Sequence, residues 1–359
     1  MSTHAAVVTV APRAPLEIHQ VPTSQPGEGE VRVRNEWTAS TPIDLHQADG
    51  GLLVQHPQIL GDGIAGTVVE VGPGVKNLKA GDKVFGFCWK NEKQKAHQVY
   101  AVVPEYILGK VPANTTLQEA VTLPNNVVTV FHAMTTDLGI TLPWPKPADY
   151  KPADAAAPFL IWGGSSSSGQ YAIQVLTHWG YTNITAVSSA RHHELLRSLG
   201  ASHVFDYNDP DVVSAITKEV GNIPYIFDCI GSQKGSLAPL AKIARKAAKV
   251  AVLLPVVVRD ATEEVEPIYG MDVRDYADWT DGVEVRGVRT HFYLDNKFYA
   301  EHLQPEIMPT LLEQGIIKPN KQRIVEGPTL LSRAQAALDI LRRKEVSGER
   351  LVWRVADEE

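Results

Sequence analysis

Several common features are scarce or missing in this sequence of 359 residues. Its two cysteines, Cys88 and Cys229, are too few for a disulfide framework or for a zinc site built from four thiolates. No apolar run approaches the ~20 residues of a membrane-spanning helix, and Met1-Ser-Thr-His lacks the charged-then-apolar pattern of a secretory signal. The net charge of −7 argues against nucleic-acid binding, which favours a basic surface. We therefore expect a cytoplasmic protein without a membrane or nucleic-acid partner.

One stretch, beginning at Phe159, combines a short apolar run with glycines and serines. Phe159-Leu-Ile-Trp is typical of a buried parallel strand, and a turn of the sequence Gly-Gly-Ser-Ser-Ser-Ser-Gly follows it. The turn consists of Gly163, Gly164, Ser165, Ser166, Ser167, Ser168 and Gly169. Helical apolar spacing follows, at Ala172, Ile173, Leu176 and Trp179. This pattern predicts a dinucleotide-binding turn, with pyrophosphate at the helix start, although the last glycine comes too late for strict GxGxxG spacing; the alternative is an ordinary strand-to-helix turn.

The following residues continue an alternation of strands and helices. Strands are predicted over 183–187, 204–207, 225–229 and 249–254, and a helix is predicted over 194–199, closed by Gly200. The spacing suits βαβ units and favours the dinucleotide interpretation of the glycine turn. It predicts a Rossmann fold, a doubly wound parallel sheet in an α/β protein.

The flanking segments differ in character. Short β-type runs at 5–10, 30–34, 66–71, 83–87 and 98–103 indicate a small barrel or sandwich. Residues 118–138 have helical spacing interrupted near Pro124, and the prolines of 141–158 predict a loop. Nine acids against one base over 260–284 predict a solvated loop. Helices are predicted over 302–314 and 334–341, and a closing strand over 350–355.

Two motifs carry a resemblance to a known family. Leu60-Gly-Asp-Gly-Ile-Ala-Gly-Thr-Val-Val-Glu-Val-Gly-Pro-Gly-Val and Ala80-Gly-Asp-Lys-Val-Phe-Gly resemble the signature of the medium-chain dehydrogenase/reductase superfamily. The similarity extends over nearly the whole chain, to Val346-Ser-Gly-Glu-Arg-Leu-Val, and is greatest to fungal zinc-independent trans-acting enoyl reductases and to quinone oxidoreductases. It implies a GroES-like, β-rich catalytic domain at 1–125, completed by 293–359, and a Rossmann domain at 126–292.

The resemblance also bears on metal binding. Zinc-dependent members have histidine and glutamate where this chain has Asp62 and Gly63, and a cysteine where it has Thr41. A catalytic zinc would have to use His46, His56 or Asp62 in a different arrangement, and we expect no metal.

The turn Ser188-Ser189-Ala190-Arg191 bears on the choice of cofactor. NAD enzymes commonly place an acid there for the ribose 2′-hydroxyl, and this turn has none. Arg191, Ser188 and Ser189 can donate to a 2′-phosphate, and a charge-assisted hydrogen bond is worth roughly 1.5–3 kcal/mol. We therefore expect NADPH; the alternative is an ordinary turn with a solvated arginine. The resemblance adds Tyr207 beside the adenosine phosphate.

The resemblance places further residues around the cofactor and the reaction. Thr41, Thr129 and the turn Cys229-Ile230-Gly231 would surround the nicotinamide, and Leu253 and Gly348 would complete cofactor binding. Thr41 stands where many relatives have asparagine. His46 is a candidate proton donor, because imidazole can donate near neutral pH, although a lone histidine more often packs or faces solvent and water can supply this proton.

Three functions remain open on the sequence. The chain is an NADPH-dependent enoyl reductase of polyketide-type thioesters in secondary metabolism, a quinone or small-enone reductase, or an inactive dinucleotide-binding sensor or scaffold. Lys90, Lys93 and Lys95 are a candidate docking patch for an acidic carrier protein, unless they simply belong to a solvated loop. We expect the partner to be a small-molecule or carrier-bound substrate. We expect the protein to be a monomer or a homodimer.

Overall fold

The computed structural model describes residues 2–357. Within this range the strands are β1 Thr3–Thr9, β2 Glu17–Pro22, β3 Glu30–Ala39, β4 Gln58–Ile59, β5 Gly63–Val71, β6 Lys83–Phe87, β7 Tyr100–Pro104, β8 Leu108–Lys110, β9 Phe159–Trp162, β10 Ile184–Ser188, β11 His203–Asp206, β12 Tyr225–Asp228, β13 Lys249–Leu253, β14 Val256–Arg259, β15 Ile268–Gly270, β16 Glu284–Val288, β17 Lys321–Ile324 and β18 Glu349–Arg354.

The α-helices of the same range are mostly short. They are α1 Pro42–Gly50, α2 Leu117–Ala120, α3 Pro124–His132, α4 Ser167–Trp179, α5 His193–Leu199, α6 Val212–Val220, α7 Ala238–Ile243, α8 Lys297–His302, α9 Met308–Glu313 and α10 Leu330–Arg342. Turns of π-helix cover Ala133–Asp137, Gln233–Leu237 and Leu303–Ile307. No helix among the described residues combines the length and apolar character needed to cross a membrane.

The chain divides into two compact units. The first consists of the residues up to Asn125, of Ala261–Pro267 and of the residues from Leu294 onward. The second consists of Asn126–Asp260 and Ile268–Tyr293.

The first unit is built on β-sheets. Its larger sheet has the strand order β17-β18-β3-β5-β6-β8, with β7 also paired to β3, and a smaller sheet has the order β2-β1-β4. Alternation along β3 buries Val31 and Val33 against Val68 and Val84, as expected for a sheet with one face on a core. The C-terminal residues belong to this unit, because β18 pairs antiparallel with β3 and packs on α10 through Trp353.

The second unit is a Rossmann fold. Its six-stranded parallel sheet has the order β11-β10-β9-β12-β13-β16, so the strand order reverses at β9. All four residues of β9 are buried, which explains the short, continuous apolar run. Parallel α/β sheets bind ligands outside the carboxyl ends of the strands at such a reversal, so the turn after β9 is the place to look for a cofactor.

The structure confirms the α/β class, the β-rich first unit and the Rossmann sheet. The strands at 183–187, 204–207, 225–229 and 249–254 are present within one residue at each end, and the helical interruption falls just before Pro124. The acidic stretch 260–284 is not simply a solvated loop: it contains β15 and the buried Val273, and β16 begins at Glu284. The helix expected from 302 begins five residues earlier, because Asn296 caps α8 by accepting from the N–H of Tyr299.

Candidate active site

The turn after β9 is fixed by hydrogen bonds to the neighbouring strand. The N–H groups of Gly163 and Gly164 both donate to the carbonyl of Val187, at 3.0 and 2.9 Å. Gly163 has φ +81°, in the left-handed region where glycine is favoured. A side chain on Gly164 would place its Cβ 2.9 Å from the Cβ of Ala186. The double glycine therefore allows the turn to lie directly against β10.

Helix α4 begins with a capped end and available N–H groups. The Oγ of Ser166 accepts from the N–H of Gly169 at 3.1 Å. A Cβ on Gly169 would lie 2.4 Å from the carbonyl oxygen of Gly163, so this late glycine serves close packing between helix and turn. The N–H groups of Ser165, Ser167 and Ser168 make no hydrogen bond within residues 2–357. Such groups at a helix start suit a phosphate anion.

The residues expected near a 2′-phosphate lie together at the end of β10. Ser188 is buried, and its carbonyl accepts from the N–H of Tyr207 at 3.3 Å. Ser189 follows directly, and the turn of 3-10 helix Ala190–His192 presents Arg191 to solvent. Tyr207 is exposed at the end of the neighbouring strand, β11. The local geometry thus combines two hydroxyl groups, a guanidinium group and a phenol.

An acid that the sequence reasoning missed lies in the same region. Asp206 is the register partner of Ser188 in the parallel pair β10 and β11. Its Oδ1 accepts from the backbone N–H and the side-chain Nδ2 of Asn208, at 2.9 and 2.8 Å. These hydrogen bonds hold the pKa of Asp206 below its usual value, so the group is ionised at neutral pH. The pairing of the two strand ends was the signal that could have revealed it.

The turn after β12 is held by a buried aspartate. Asp228 accepts at Oδ1 from the N–H groups of Ile230 and Gly231, at 2.9 and 3.2 Å, and at Oδ2 from the hydroxyl of Ser236, at 2.6 Å. Burial raises the pKa of Asp228 to about 6 in spite of these bonds. Sequence reasoning identified the turn but not the side chain that shapes it.

This turn contacts the glycine turn after β9. A Cβ on Gly163 would lie 2.6 Å from the Cδ1 of Ile230 and 3.4 Å from the Cβ of Cys229, and the N–H of Ser166 donates to the carbonyl of Gly163 at 2.9 Å. Burial raises the pKa of the Cys229 thiol well above its usual value, which suits a packing residue and not a nucleophile. A Cβ on Gly231 would lie 2.3 Å from the carbonyl oxygen of Leu253. The structure therefore brings Gly163, Ser166, Cys229, Ile230 and Leu253 together.

Thr129 belongs to the same unit. It is buried on α3, and its hydroxyl oxygen lies 2.8 Å from that of Thr290.

Three predicted residues belong to the first unit. Thr41 is buried at the start of α1, where its N–H donates to the Oδ2 of Asp44 at 2.8 Å. The Thr41 hydroxyl is buried without a hydrogen-bond partner among residues 2–357. His46 is half-buried on α1, and Gly348 has φ +71° just before β18.

The positions of the zinc ligands do not fit a zinc ion. Gly63 has no side-chain donor, and Thr41 offers a hydroxyl in place of a thiolate. Asp62 is buried and accepts at Oδ2 from the Nδ2 of Asn125 at 3.1 Å. Within the described part of the chain, no three histidine, cysteine or acidic residues form a group that could hold a metal ion.

Asp62 has ionisable neighbours that sequence spacing did not indicate. Burial, followed by the negative charge of Asp44, raises the pKa of Asp62 to about 7. Burial likewise raises the pKa of Asp44 to about 6. The Nε2 of His97 lies 4.0 Å from the Oδ2 of Asp44, but burial lowers the pKa of His97 to about 3, so its imidazole is neutral.

The three lysines predicted as a docking patch do not form one. The Nζ of Lys93 lies 2.7 Å from both carboxylate oxygens of Glu30, and Lys95 is partly buried; only Lys90 is exposed. The prediction was wrong because Glu30 is distant from this loop in the sequence, and only the folded sheet brings Glu30 to Lys93.

Two known families match the sequence. The alcohol dehydrogenase GroES-like domain matches residues 27–132, and the zinc-binding dehydrogenase family matches residues 169–254. The second family is named for zinc binding, but this chain lacks the zinc ligands at Thr41, Asp62 and Gly63, as described above.

Individual proteins match over longer spans. The trans-enoyl reductase tazE of Aspergillus terreus (strain NIH 2624 / FGSC A1156) is 35% identical over 60% of this chain and 73% of its own length. The enoyl reductase component lovC of the lovastatin nonaketide synthase of Aspergillus terreus is 29% identical over 91% of this chain and 89% of its own length. The quinone oxidoreductase structure from Coxiella burnetii has a TM-score of 0.73 at 19% identity, over 99% of this chain and 100% of that one.

The fold, the dinucleotide turn after β9 and the family matches agree. The chain belongs to the medium-chain dehydrogenase/reductase superfamily of nicotinamide-dependent oxidoreductases.

Proposed function

We propose that this protein is an NADPH-dependent enoyl reductase that reduces the activated C=C bond of an α,β-unsaturated, polyketide-type thioester without zinc. The observation that carries the proposal is the replacement of the zinc ligands by Thr41, Asp62 and Gly63 in a chain that retains the dinucleotide turn. A quinone or small-enone reductase is the alternative that shares the hydride step.

The chemistry follows from the missing Lewis acid. Zinc polarises a carbonyl or stabilises an alkoxide in alcohol–ketone exchange, and Thr41, Asp62 and Gly63 are not a zinc ligand set. A conjugated thioester needs this help less, because hydride addition at its β-carbon leaves charge delocalised in an enolate. Hydrogen-bond donors can stabilise that charge, and one such donor is commonly worth about 3 kcal/mol.

The described side chains fit a reduced dinucleotide, which supplies the hydride when bound. The free N–H groups of Ser165, Ser167 and Ser168 would bind the pyrophosphate. The 2′-phosphate would lie near Ser188, Ser189, Arg191 and Tyr207, the group at the end of β10. In the second unit we assign the nicotinamide to Thr129, Cys229, Ile230 and Leu253. The roles of Thr41, His46 and Gly348 rest on the family resemblance alone.

The nature of the substrate is inferred from the relatives. Two proteins similar to this chain are named as a trans-enoyl reductase and as the enoyl reductase component of a nonaketide synthase. A thioester carried on an acyl carrier protein is therefore our proposed substrate, although the lysine patch does not support docking.

The test is NADPH oxidation measured against enoyl thioesters, quinones and free enones. We expect turnover of the thioesters, with deuterium from 4-deuterated NADPH at the β-carbon of the product. Deuterium on a carbinol carbon would show carbonyl reduction and reject the mechanism. Turnover of quinones alone would support the alternative. Tight cofactor binding without turnover of any substrate would favour a sensor or scaffold.

A further inference from the structure

Two turns of the second unit border the crevice at which a parallel sheet of this kind binds its ligand. The strand order reverses at β9, so this crevice opens between the carboxyl ends of β9 and β12. The glycine turn follows β9, and the turn Cys229-Ile230-Gly231 follows β12. Asp228, the last residue of β12, is the register partner of Trp162, the last residue of β9. Asp228 is therefore at the base of the crevice, with its side chain fully buried.

The first residue of the turn after β12 is held by the backbone, and the next two depend on Asp228. The N–H of Cys229 donates to the carbonyl of Trp162 at 2.9 Å. The N–H groups of Ile230 and Gly231 donate to the Oδ1 of Asp228, at 2.9 and 3.2 Å. These two N–H groups make no other hydrogen bond among residues 2–357. Without the carboxylate they would lack an acceptor, so the conformation of the turn depends on this side chain.

The second oxygen of Asp228 is fixed as well. Its Oδ2 accepts from the hydroxyl of Ser236 at 2.6 Å, and the Oγ of Ser236 accepts from the N–H of Ser232 at 2.9 Å. Ser236 is fully buried in the π-helical turn Gln233–Leu237. Because both oxygens have partners, the carboxylate has one defined orientation beneath the turn.

The conformation of the turn determines where the side chain of Ile230 lies. A Cβ on Gly163 would lie 2.6 Å from both the Cγ1 and the Cδ1 of Ile230, so this side chain covers the glycine turn. Gly231 has φ +62°, and its close approach to the carbonyl of Leu253 fixes the other end of the turn against β13. Ile230 nevertheless remains 45% exposed. It therefore presents apolar surface at the crevice, as the side chains that line ligand sites commonly do.

We propose that Asp228 is a positioning residue for the nicotinamide half of the dinucleotide, because it fixes the turn that presents Ile230 to the cofactor. The proposal rests on the proposed function for the identity of that cofactor. Asp228 is buried beneath the turn and acts through the N–H groups of Ile230 and Gly231. The adenosine half is assigned to the end of β10, a different part of the sheet. Loss of the Asp228 carboxylate should therefore affect the two halves of the cofactor differently.

The first test measures the binding of NADPH, NADH and 2′,5′-ADP to wild type and to Asp228→Ala by isothermal titration calorimetry. 2′,5′-ADP contains the adenosine half of NADPH and lacks the nicotinamide. The substitution leaves two N–H groups of the turn without an acceptor, so we expect both dinucleotides to bind at least about tenfold more weakly. The binding of 2′,5′-ADP should stay within about threefold of wild type, because its site is separate from the turn.

The substitution Asp228→Asn tests whether the position of the acceptor matters. Its Oδ1 can accept from the same two N–H groups and its Nδ2 can donate to the Oγ of Ser236, so dinucleotide binding should stay within about threefold of wild type. Asp137→Asn is the matched control, because burial raises the pKa of Asp137 and of Asp228 alike to about 6 and both belong to the second unit. Asp137 adjoins Leu138, whose carbonyl accepts from Lys249 at the opposite end of β13. The control should bind all three ligands as wild type does.

A second measurement reports on the turn without a ligand. The two cysteines of the chain are both buried, Cys229 in this turn and Cys88 in the first unit. In Asp228→Ala, alkylation of Cys229 by N-ethylmaleimide, located by mass spectrometry, should be at least about tenfold faster than in wild type, because the turn opens locally. Cys88 should keep its wild-type rate. Rapid alkylation of both cysteines would show that the variant is unfolded. Asp228→Glu, which keeps the charge but displaces the oxygens by one methylene, should then show the selective loss of dinucleotide binding.

The outcomes separate this proposal from the proposed function. A folded Asp228→Ala variant with unchanged binding of both dinucleotides would overturn the positioning role and leave the enoyl reductase intact. Equal losses for NADPH and 2′,5′-ADP would also overturn it, since they would show a general effect on the unit. Equal affinities of wild type for NADPH and NADH would reject the choice of NADPH, but Asp228→Ala should still weaken the binding of both. A wild type that binds these dinucleotides and reduces no enoyl thioester would reject the proposed reaction alone.

Discussion

Removal of the Arg191 guanidinium tests the cofactor assignment. Arg191 is exposed in the turn of 3-10 helix after β10, next to Ser189. Arg191 forms no ion pair within residues 2–357, so the substitution Arg191→Ala should leave the second unit folded. The substitution should weaken the binding of a cofactor that has a phosphate at this turn, and it should not change the binding of a cofactor that lacks this phosphate.

The magnitude follows from the exposure of the group. A hydrogen bond to a charged partner is worth roughly 1.5–3 kcal/mol, and water around an exposed arginine favours the lower end of that range. About 1.4 kcal/mol corresponds to tenfold in a dissociation constant, so we expect NADPH to bind wild type at least about tenfold more tightly than NADH. Arg191→Ala should lose about tenfold for NADPH and little for NADH. The ionised Asp206 nearby opposes a 2′-phosphate, which is a further reason to expect the lower end.

The assay is equilibrium binding of each cofactor, measured by quenching of intrinsic fluorescence at two salt concentrations. Arg197→Ala is the matched control, since Arg197 is an exposed arginine on α5 without an assigned contact to the cofactor. The control should keep the wild-type ratio. Equal dissociation constants for NADPH and NADH in wild type would refute the reasoning from the turn, and so would equal losses for both cofactors in Arg191→Ala.

Three further predictions concern metal, stability and the imidazole on α1. Purified protein should contain no stoichiometric zinc and keep its activity in chelator; one zinc per chain, with activity lost on its removal, would contradict this. Asp49→Ala should cost about 3 kcal/mol, because it leaves Arg342 without the buried carboxylate it binds through Nε and Nη2, at 2.8 and 2.7 Å; by thermal unfolding Arg274→Ala, which breaks an exposed pair with Asp272 and keeps the capping bond to the Asp272 side chain, should show almost no change, and equal losses in both variants would be evidence against a special role of burial. His46→Ala should reduce kcat less than about a hundredfold, since water can supply the proton, and a larger loss at unchanged stability would make His46 the donor.

The second unit was the easier part to predict from sequence. Its central strands, such as β9 and β10, are buried on both faces, so apolar runs such as Phe159–Trp162 mark them directly. Its ligand-binding turn depends on residues adjacent in sequence, Gly163 to Gly169, whose conformations follow from local rules. Tyr207 and the Cys229–Ile230 turn were placed by family resemblance. The structure brings Tyr207 to the end of β10 and the Cys229–Ile230 turn to the glycine turn after β9.

The missed features depend on pairings between distant residues. Asp206 became relevant only through the register of β10 and β11. Asp228 combines local bonds to Ile230 and Gly231 with one to the hydroxyl of Ser236, and the sequence does not show that last contact. The acidic stretch 260–284 was misjudged because Val273 packs into the core of the second unit in spite of its polar neighbours. The short strands β2, β4 and β8 pair at sheet edges, where two to six residues give too little alternation to recognise.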